Sequence, residues 1–297
     1  MASIILHIGT HKTGTTSVQR SLAGSQSELL RQGFAYPISG RTNPLGREML
    51  KHGLLFRDLH RDDKRREESW VALSAELDSR KVSTAILSNE HLSHEDLPGI
   101  ERVAQYLVGH DVQIVLYLRD PVGYMASAYN QEVKRAGLRL GFVEYLELYK
   151  DRCNYLELIS RWASTFSAGS LVVRIFERAR EIGLLQDFAN VAGLDVGEMC
   201  TISRENESPS SHQLRAILRL NRLRLTSSAI RGHVASGTAI GRLLTRVVNP
   251  LGTPVSYGWG QEQLRVVQAW GKQLCGSEHL SEEQAAFVQA HWMNQSP

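Results

Sequence analysis

Ile4-Ile5-Leu6-His7-Ile8-Gly9-Thr10-His11-Lys12-Thr13-Gly14-Thr15-Thr16-Ser17-Val18 is a short apolar run that breaks at Gly9 into a loop of small residues. Past Thr15 the apolar positions Val18, Leu22, Leu29 and Leu30 follow a helical period, so the stretch reads as buried strand, phosphate loop and helix. Gly9, Gly14 and Thr16 keep the register of the nucleoside-triphosphate loop, G-x-x-x-x-G-K-[ST]. The lysine does not. Thr15 stands where a triphosphatase carries it, and Lys12 lies between the two glycines instead.

Outward from this stretch the same alternation recurs. The first helix is expected to end before Gly33, followed by a short strand at Phe34 to Tyr36 that Pro37 stops. Gly40, Pro44, Gly46 and Gly53 punctuate an irregular stretch carrying Arg41, Arg47, Lys51 and His52. Leu59 to Asp78 reads as a charged helix with Arg61 to Glu68 on its solvated face. A second strand, Ser83 to Ser88, leads into Asn89-Glu90-His91, with a helix from Pro98 to Val108. The third strand, Val112 to Leu118, runs into Arg119-Asp120-Pro121, where Asp120 is a natural cap and Pro121 opens a helix reaching Arg135. Helices over 141–149 and 155–166, a strand over 170–176 and a helix over 182–192 continue the pattern.

Such alternation predicts an α/β fold, a phosphate-loop-containing, doubly wound parallel sheet flanked by helices. Ligands of such sheets bind beyond the carboxyl ends of the strands. Gly9, Glu90 and Arg119 each follow a strand end, so they are expected on one edge. From Ser208 the pattern changes to a mainly helical region. Ser208 to Leu225 reads as a helix, Thr226 to Gly260 as a long loop or lid, and 261–274 and 281–292 as two closing helices, the second with capping-box spacing from Ser281 to Gln284. One domain is expected, with 1–205 as the nucleotide-binding core and 206–297 as its helical extension.

With 297 residues, 42% of them hydrophobic, the chain can bury a sizeable core. A formal charge of +3 suits anionic ligands and does not call for nucleic acid. Cys153, Cys200 and Cys275 are too far apart for a CxxC metal or redox motif or a disulfide framework. No apolar segment approaches the roughly 18 residues of a membrane span. A soluble, cytoplasmic protein is the expectation.

The amides from Thr13 to Ser17, at the start of a helix, would present free N–H groups and a positive dipole end, which suit phosphate or sulfate. Gly14 lets the anion approach the backbone, and Thr15, Thr16 and Ser17 add hydroxyls. In a triphosphatase the lysine after the second glycine reaches the β- and γ-phosphates while the next hydroxyl holds Mg²⁺. Here that lysine is absent, and no strand ends in an aspartate placed for magnesium. No metal is expected.

His11-Lys12-Thr13-Gly14-Thr15-Thr16-Ser17 resembles the 5′-phosphosulfate loop of the sulfotransferases that use 3′-phosphoadenosine 5′-phosphosulfate (PAPS). Their second signature, an arginine at a strand end and a serine eight residues later, is matched by Arg119 and Ser127. Looser similarity runs through Val173 to Phe188 and Asn206 to Ser210, so the resemblance covers about the first 210 residues. It implies that Lys12, Thr13, Gly14, Thr15, Thr16 and Ser17 hold the 5′-phosphosulfate and that Arg119 and Ser127 bind the 3′-phosphate. Arginine's planar fork suits a phosphate dianion; the alternative is that Arg119 pairs with a neighbouring carboxylate and Ser127 is ordinary helix filler.

Transfer also needs a base for the acceptor proton. Glu90 follows a strand on the expected edge, and some family members use a glutamate in this neighbourhood. Others use a histidine, which keeps His91 and His52 open as base or substrate-binding residues. His7 reads as a packed core residue, and His11 is assigned no chemistry. The resemblance implies sulfuryl transfer from PAPS to a hydroxyl or amine of a carbohydrate or small metabolite, with 3′,5′-adenosine bisphosphate (PAP) as product. The rivals are a nucleotide kinase or triphosphatase on the same fold and a non-catalytic nucleotide- or glycan-binding module.

Overall fold

The computed structural model describes residues 2–42, 47–200, 209–255 and 257–293. In chain order its elements are β1 (Ser3–His7), α1 (Thr15–Gly24), α2 (Gln26–Arg31), β2 (Phe34–Ala35), α3 (Lys64–Arg80), β3 (Thr84–Ser88), α4 (Leu97–Tyr106), β4 (Val112–Leu118), α5 (Pro121–Gln131), α6 (Phe142–Tyr149), α7 (Tyr155–Phe166), β5 (Leu171–Ile175), α8 (Phe176–Ile182), α9 (Leu184–Ala192), α10 (Ser211–Arg222), α11 (Ser228–Ala235), α12 (Ala239–Val248), α13 (Gln261–Cys275) and α14 (Glu282–His291). They fall into two compact units. The first holds residues 1–119, 155–203 and 273–287, and the second holds 120–154, 204–272 and 288–297.

The first unit is built on one parallel sheet in the order β2-β3-β1-β4-β5. β1 is central because Ile4, Ile5 and Leu6 are apolar on both faces, and all three are buried. Ile5, Ile86, Val115 and Tyr117 form a core with Val18 and Leu22 of α1 and Phe188 and Ala189 of α9. The alternate residues Leu6, Leu87 and Leu116 are equally buried on the other face. β1 passes the chain to β2 on one side and β4 passes it to β5 on the other. The connections leaving these neighbouring strands therefore diverge at their carboxyl ends, where an α/β sheet binds its ligand.

The second unit is helical around an aromatic cluster of Tyr129, Phe142, Tyr145, Tyr257 and Trp259. The helix after Pro121 reaches residue 136, but its last turn, Glu132–Ala136, is π-helical and ends at Gly137, whose φ of 73° suits glycine. Asn221 donates from Nδ2 to the carbonyls of Val133 and Leu138, 2.9 Å each, and so satisfies backbone that the wider turn leaves open.

Three expectations are corrected. The first helix is two, split at Ser25, whose hydroxyl accepts from the Cys200 amide at 2.9 Å. A further helix, α8, follows β5 directly, and Gly183 (φ 103°) separates it from α9. The 226–260 stretch is no structureless lid: Ser227 and Thr238 cap α11 and α12 by accepting from the amides of Ile230 and Gly241. Ser281 and Gln284 do make the expected reciprocal capping bonds, at 3.2 and 3.0 Å. Pro44, Gly46 and Asn206 to Ser208 lie outside the described residues.

Candidate anion-binding site

The loop after β1 is fixed from below. Thr10 docks on β4, its amide and hydroxyl both donating to the Tyr117 carbonyl at 3.1 and 2.9 Å. Thr13, also buried, donates from Oγ1 to the Thr10 carbonyl at 2.6 Å. Two residues then take left-handed backbone, Lys12 at φ 69° and Gly14 at φ 72°. Glycine is required at 14 on a second ground, because a Cβ there would stand 2.4 Å from Cδ2 of Leu184. Lys12 has no such freedom, and a left-handed non-glycine residue costs about 1–2 kcal/mol. An offset of similar size comes from Arg119, whose Nη1 donates to the Lys12 carbonyl at 2.8 Å, since a bond from a charged donor is worth about 1.5–3 kcal/mol.

Above this floor the amides of Thr13, Gly14, Thr15 and Thr16 donate to nothing among the described residues. They are the orphan donors of the α1 start, and α1 has no acidic residue in its first turn to repel an anion. The Thr15 hydroxyl sits 3.4 Å from that of Thr13. Arg119 lies with its guanidinium carbon 5.3 Å from the centre of the Phe176 ring, and its carbonyl accepts from the Tyr155 hydroxyl at 2.7 Å. The donor set placed here is amides, hydroxyls and one guanidinium, which fits an anion. Ser127 lies on α5 in the second unit, half-buried.

Beside the loop, the end of β3 carries Glu90. Its carboxylate is not solitary: Lys51 Nζ stands 3.0 Å from Oε1, and Gln19 Nε2 donates to Oε2 at 3.2 Å. Burial pushes the carboxyl up, but the Lys51 ammonium outweighs it and holds Glu90 well below the usual carboxylate range. Gln19 also donates to Ser88 Oγ at 3.0 Å, and Ser88 Oγ lies 3.0 Å from His7 Nδ1. Ser88 Oγ thus links Gln19 and the His7 ring in one buried chain of hydrogen bonds. His7 is buried, which lowers it to about 4, so the ring is neutral core.

His52 and His91 part company. His52 is fully buried, with Nδ1 accepting from the Ser88 amide at 3.1 Å and Nε2 donating to the Pro37 carbonyl at 3.0 Å. Burial and then Arg41 lower it to about 3, so it is neutral and both ring nitrogens are already bonded. His91 is exposed, and its ring meets the loop residue His11 edge-on at 4.8 Å, while His11 stacks on His94 at 4.9 Å. Burial, then Lys51, lowers His91. Among the described residues one group could gather around a cation, His60 with Glu95 and Asp96, and it includes none of these site residues.

Sequence reasoning missed Lys51 and Gln19 as partners of Glu90. Nothing local marks either, since the contacts span 39 and 71 residues. No family model and no curated protein matches the chain. Among solved structures it is similar to a sulfotransferase from Alicyclobacillus acidocaldarius, at 18% identity over 80% of this chain and 97% of that one, with a TM-score of 0.42. It is also similar to the mouse sulfotransferase SULT7A1 complexed with PAP, at 14% identity over 98% of this chain and 88% of that one, with a TM-score of 0.44.

Proposed function

We propose that this chain is a sulfotransferase that takes a sulfuryl group from PAPS and passes it to a hydroxyl or amine of a carbohydrate or small metabolite, releasing PAP. The observation that supports it most is the loop, where four orphan amides and a mid-loop lysine in left-handed backbone are tied to Arg119 at the neighbouring strand end. In the reaction the acceptor oxygen or nitrogen bonds to sulfur as the bond from sulfur to the 5′-phosphate oxygen breaks. Lys12 and the amides meet the negative charge left on that oxygen, a task that preorganised donors perform without reorganising. Arg119 is assigned the 3′-phosphate, and Ser127 joins it on the resemblance alone.

Glu90 takes the acceptor proton. It is ionised, as a base must be, but the Lys51 ammonium makes it a weak one in the resting protein. Lys51 is a positioning residue that has to release Oε1 before Glu90 acts. Calorimetry with PAP and with ATP·Mg tests the nucleotide, and PAP alone should bind; tight ATP·Mg binding with turnover would hand the site to a kinase or triphosphatase. Conversion of labelled PAPS to PAP with an acceptor panel tests transfer, and binding without transfer would leave a nucleotide-binding module. Lys12→Ala should lower turnover about 100-fold or more, as loss of a donor to a developing oxyanion does.

A further inference from the structure

The 54 residues from Ser208 to Gln261 contain seven arginines and no lysine, aspartate or glutamate. With the whole chain at +3, everything outside this segment is net acidic. Within it Arg219 is spent on the end of α12, donating to the Val248 carbonyl and Asn249 Oδ1 at 2.9 Å each, and Arg231 donates to the carbonyls of Lys134 and Arg135. Arg222, Arg224, Arg242 and Arg246 are exposed, although Arg222 also donates to the Arg139 carbonyl at 2.9 Å and Arg242 to the Gly237 carbonyl at 2.6 Å.

α12 adds an apolar face to this charge. Ile240, Leu243 and Val247 are 58%, 63% and 68% exposed, and Leu251, one turn past the helix end, is 82% exposed. At about 100° per residue the three helical positions share an arc of roughly 60°, with Arg246 about 90° and Arg242 about 130° from its centre on one side. The opposite face is committed: Gly241 is buried so closely on α11 that a Cβ would stand 2.0 Å from the His233 carbonyl. With Leu244 and Val248 also packed against the core, α12 cannot turn Ile240, Leu243 and Val247 inward.

We propose that the outer face of α12 docks on an anionic lipid bilayer, Ile240, Leu243, Val247 and Leu251 entering the interface while Arg242 and Arg246 meet the headgroup phosphates. A helix with an apolar face and an arginine flank lies in the plane of a membrane surface and draws on anionic lipid for about 1 kcal/mol per basic residue. Charge argues against a second copy as occupant, because a symmetric contact would set this acid-free segment against itself. The surface lies wholly within the second unit and is independent of the sulfotransferase reading.

The test is flotation of the full chain with vesicles of phosphatidylcholine alone and of equal parts phosphatidylcholine and phosphatidylglycerol. The chain should float with the anionic vesicles, stay behind with the neutral ones and be released by molar salt. Arg242→Gln with Arg246→Gln should weaken partitioning about 25-fold, at roughly fivefold per charge. Leu243→Ser with Val247→Ser should weaken it at least about tenfold, and both pairs should melt like the parent because the side chains are exposed. Failure to float with anionic vesicles, or double variants that float as well as the parent, would overturn the proposal. So would sedimentation showing a dimer that Leu243→Ser dissociates.

Discussion

The loop after β1 and the surface of α12 both present positive charge, but they hold it in opposite ways. In the loop each group is placed by a buried bond or a forced backbone angle: Thr10 on Tyr117, Thr13 on Thr10, the Lys12 carbonyl under Arg119, and Gly14 against Leu184. On α12 the arginines and Ile240, Leu243 and Val247 stand in solvent on a helix whose other face does the packing. A site for one small anion needs fixed donors. A site for an extended anionic surface needs only composition on the correct side.

That contrast can be broken at several points. Asp187, fully buried beneath the sheet edge, accepts from the Tyr117 hydroxyl at 2.8 Å and pairs with Arg174. Asp187→Asn should cost about 1–3 kcal/mol in a denaturant melt, because the charged bonds to the buried carboxylate are lost while Arg174, 31% exposed, keeps contact with water. Gly14→Ala should cost about 1–3 kcal/mol, through its positive φ and the Leu184 contact, and should weaken PAP binding in calorimetry. In Lys51→Met, Glu90 keeps its burial and loses the ammonium, so its carboxyl rises. The acid limb of the kcat/KM profile should then move up by about one pH unit or more. The depressed Glu90 also stabilises the parent above the unfolded carboxyl value of about 4.3, a contribution lost as pH falls through the lower folded value. A Lys51→Met profile identical to the parent's would remove Lys51 from the site. At the small end, Leu243→Ser should shift stability by no more than about 0.5 kcal/mol; a larger loss would mean that α12 packs with its exposed face.

The strand, loop and helix at Ile4 to Val18 were legible because every determinant is local: an apolar run, two glycines and a lysine. β4 over Val112–Leu118 and α7 over Tyr155–Phe166 agree with their expected bounds for the same reason. Glu90 and Arg119 could be placed near the loop because parallel strands bring their carboxyl ends together. The Lys51 contact could not be foreseen, since it depends on how the irregular stretch after β2 folds back over β3. His52 carries no sequence mark separating a buried, doubly bonded ring from one facing an acceptor. In 226–260 the caps Ser227 and Thr238 were present, but an apolar stripe left in solvent gives no sign of a core, so the helices were hidden by the property that makes α12 unusual.

Lys12 carries a last consequence. Its φ of 69° is one that glycine adopts without steric cost. A Lys12→Gly chain would keep the carbonyl that Arg119 binds, shed the strain and lose the ammonium. Under the proposed transfer, stability and activity therefore pull in opposite directions at this one position, and a library sorted on thermal tolerance alone would discard the residue to which that proposal assigns the departing phosphate.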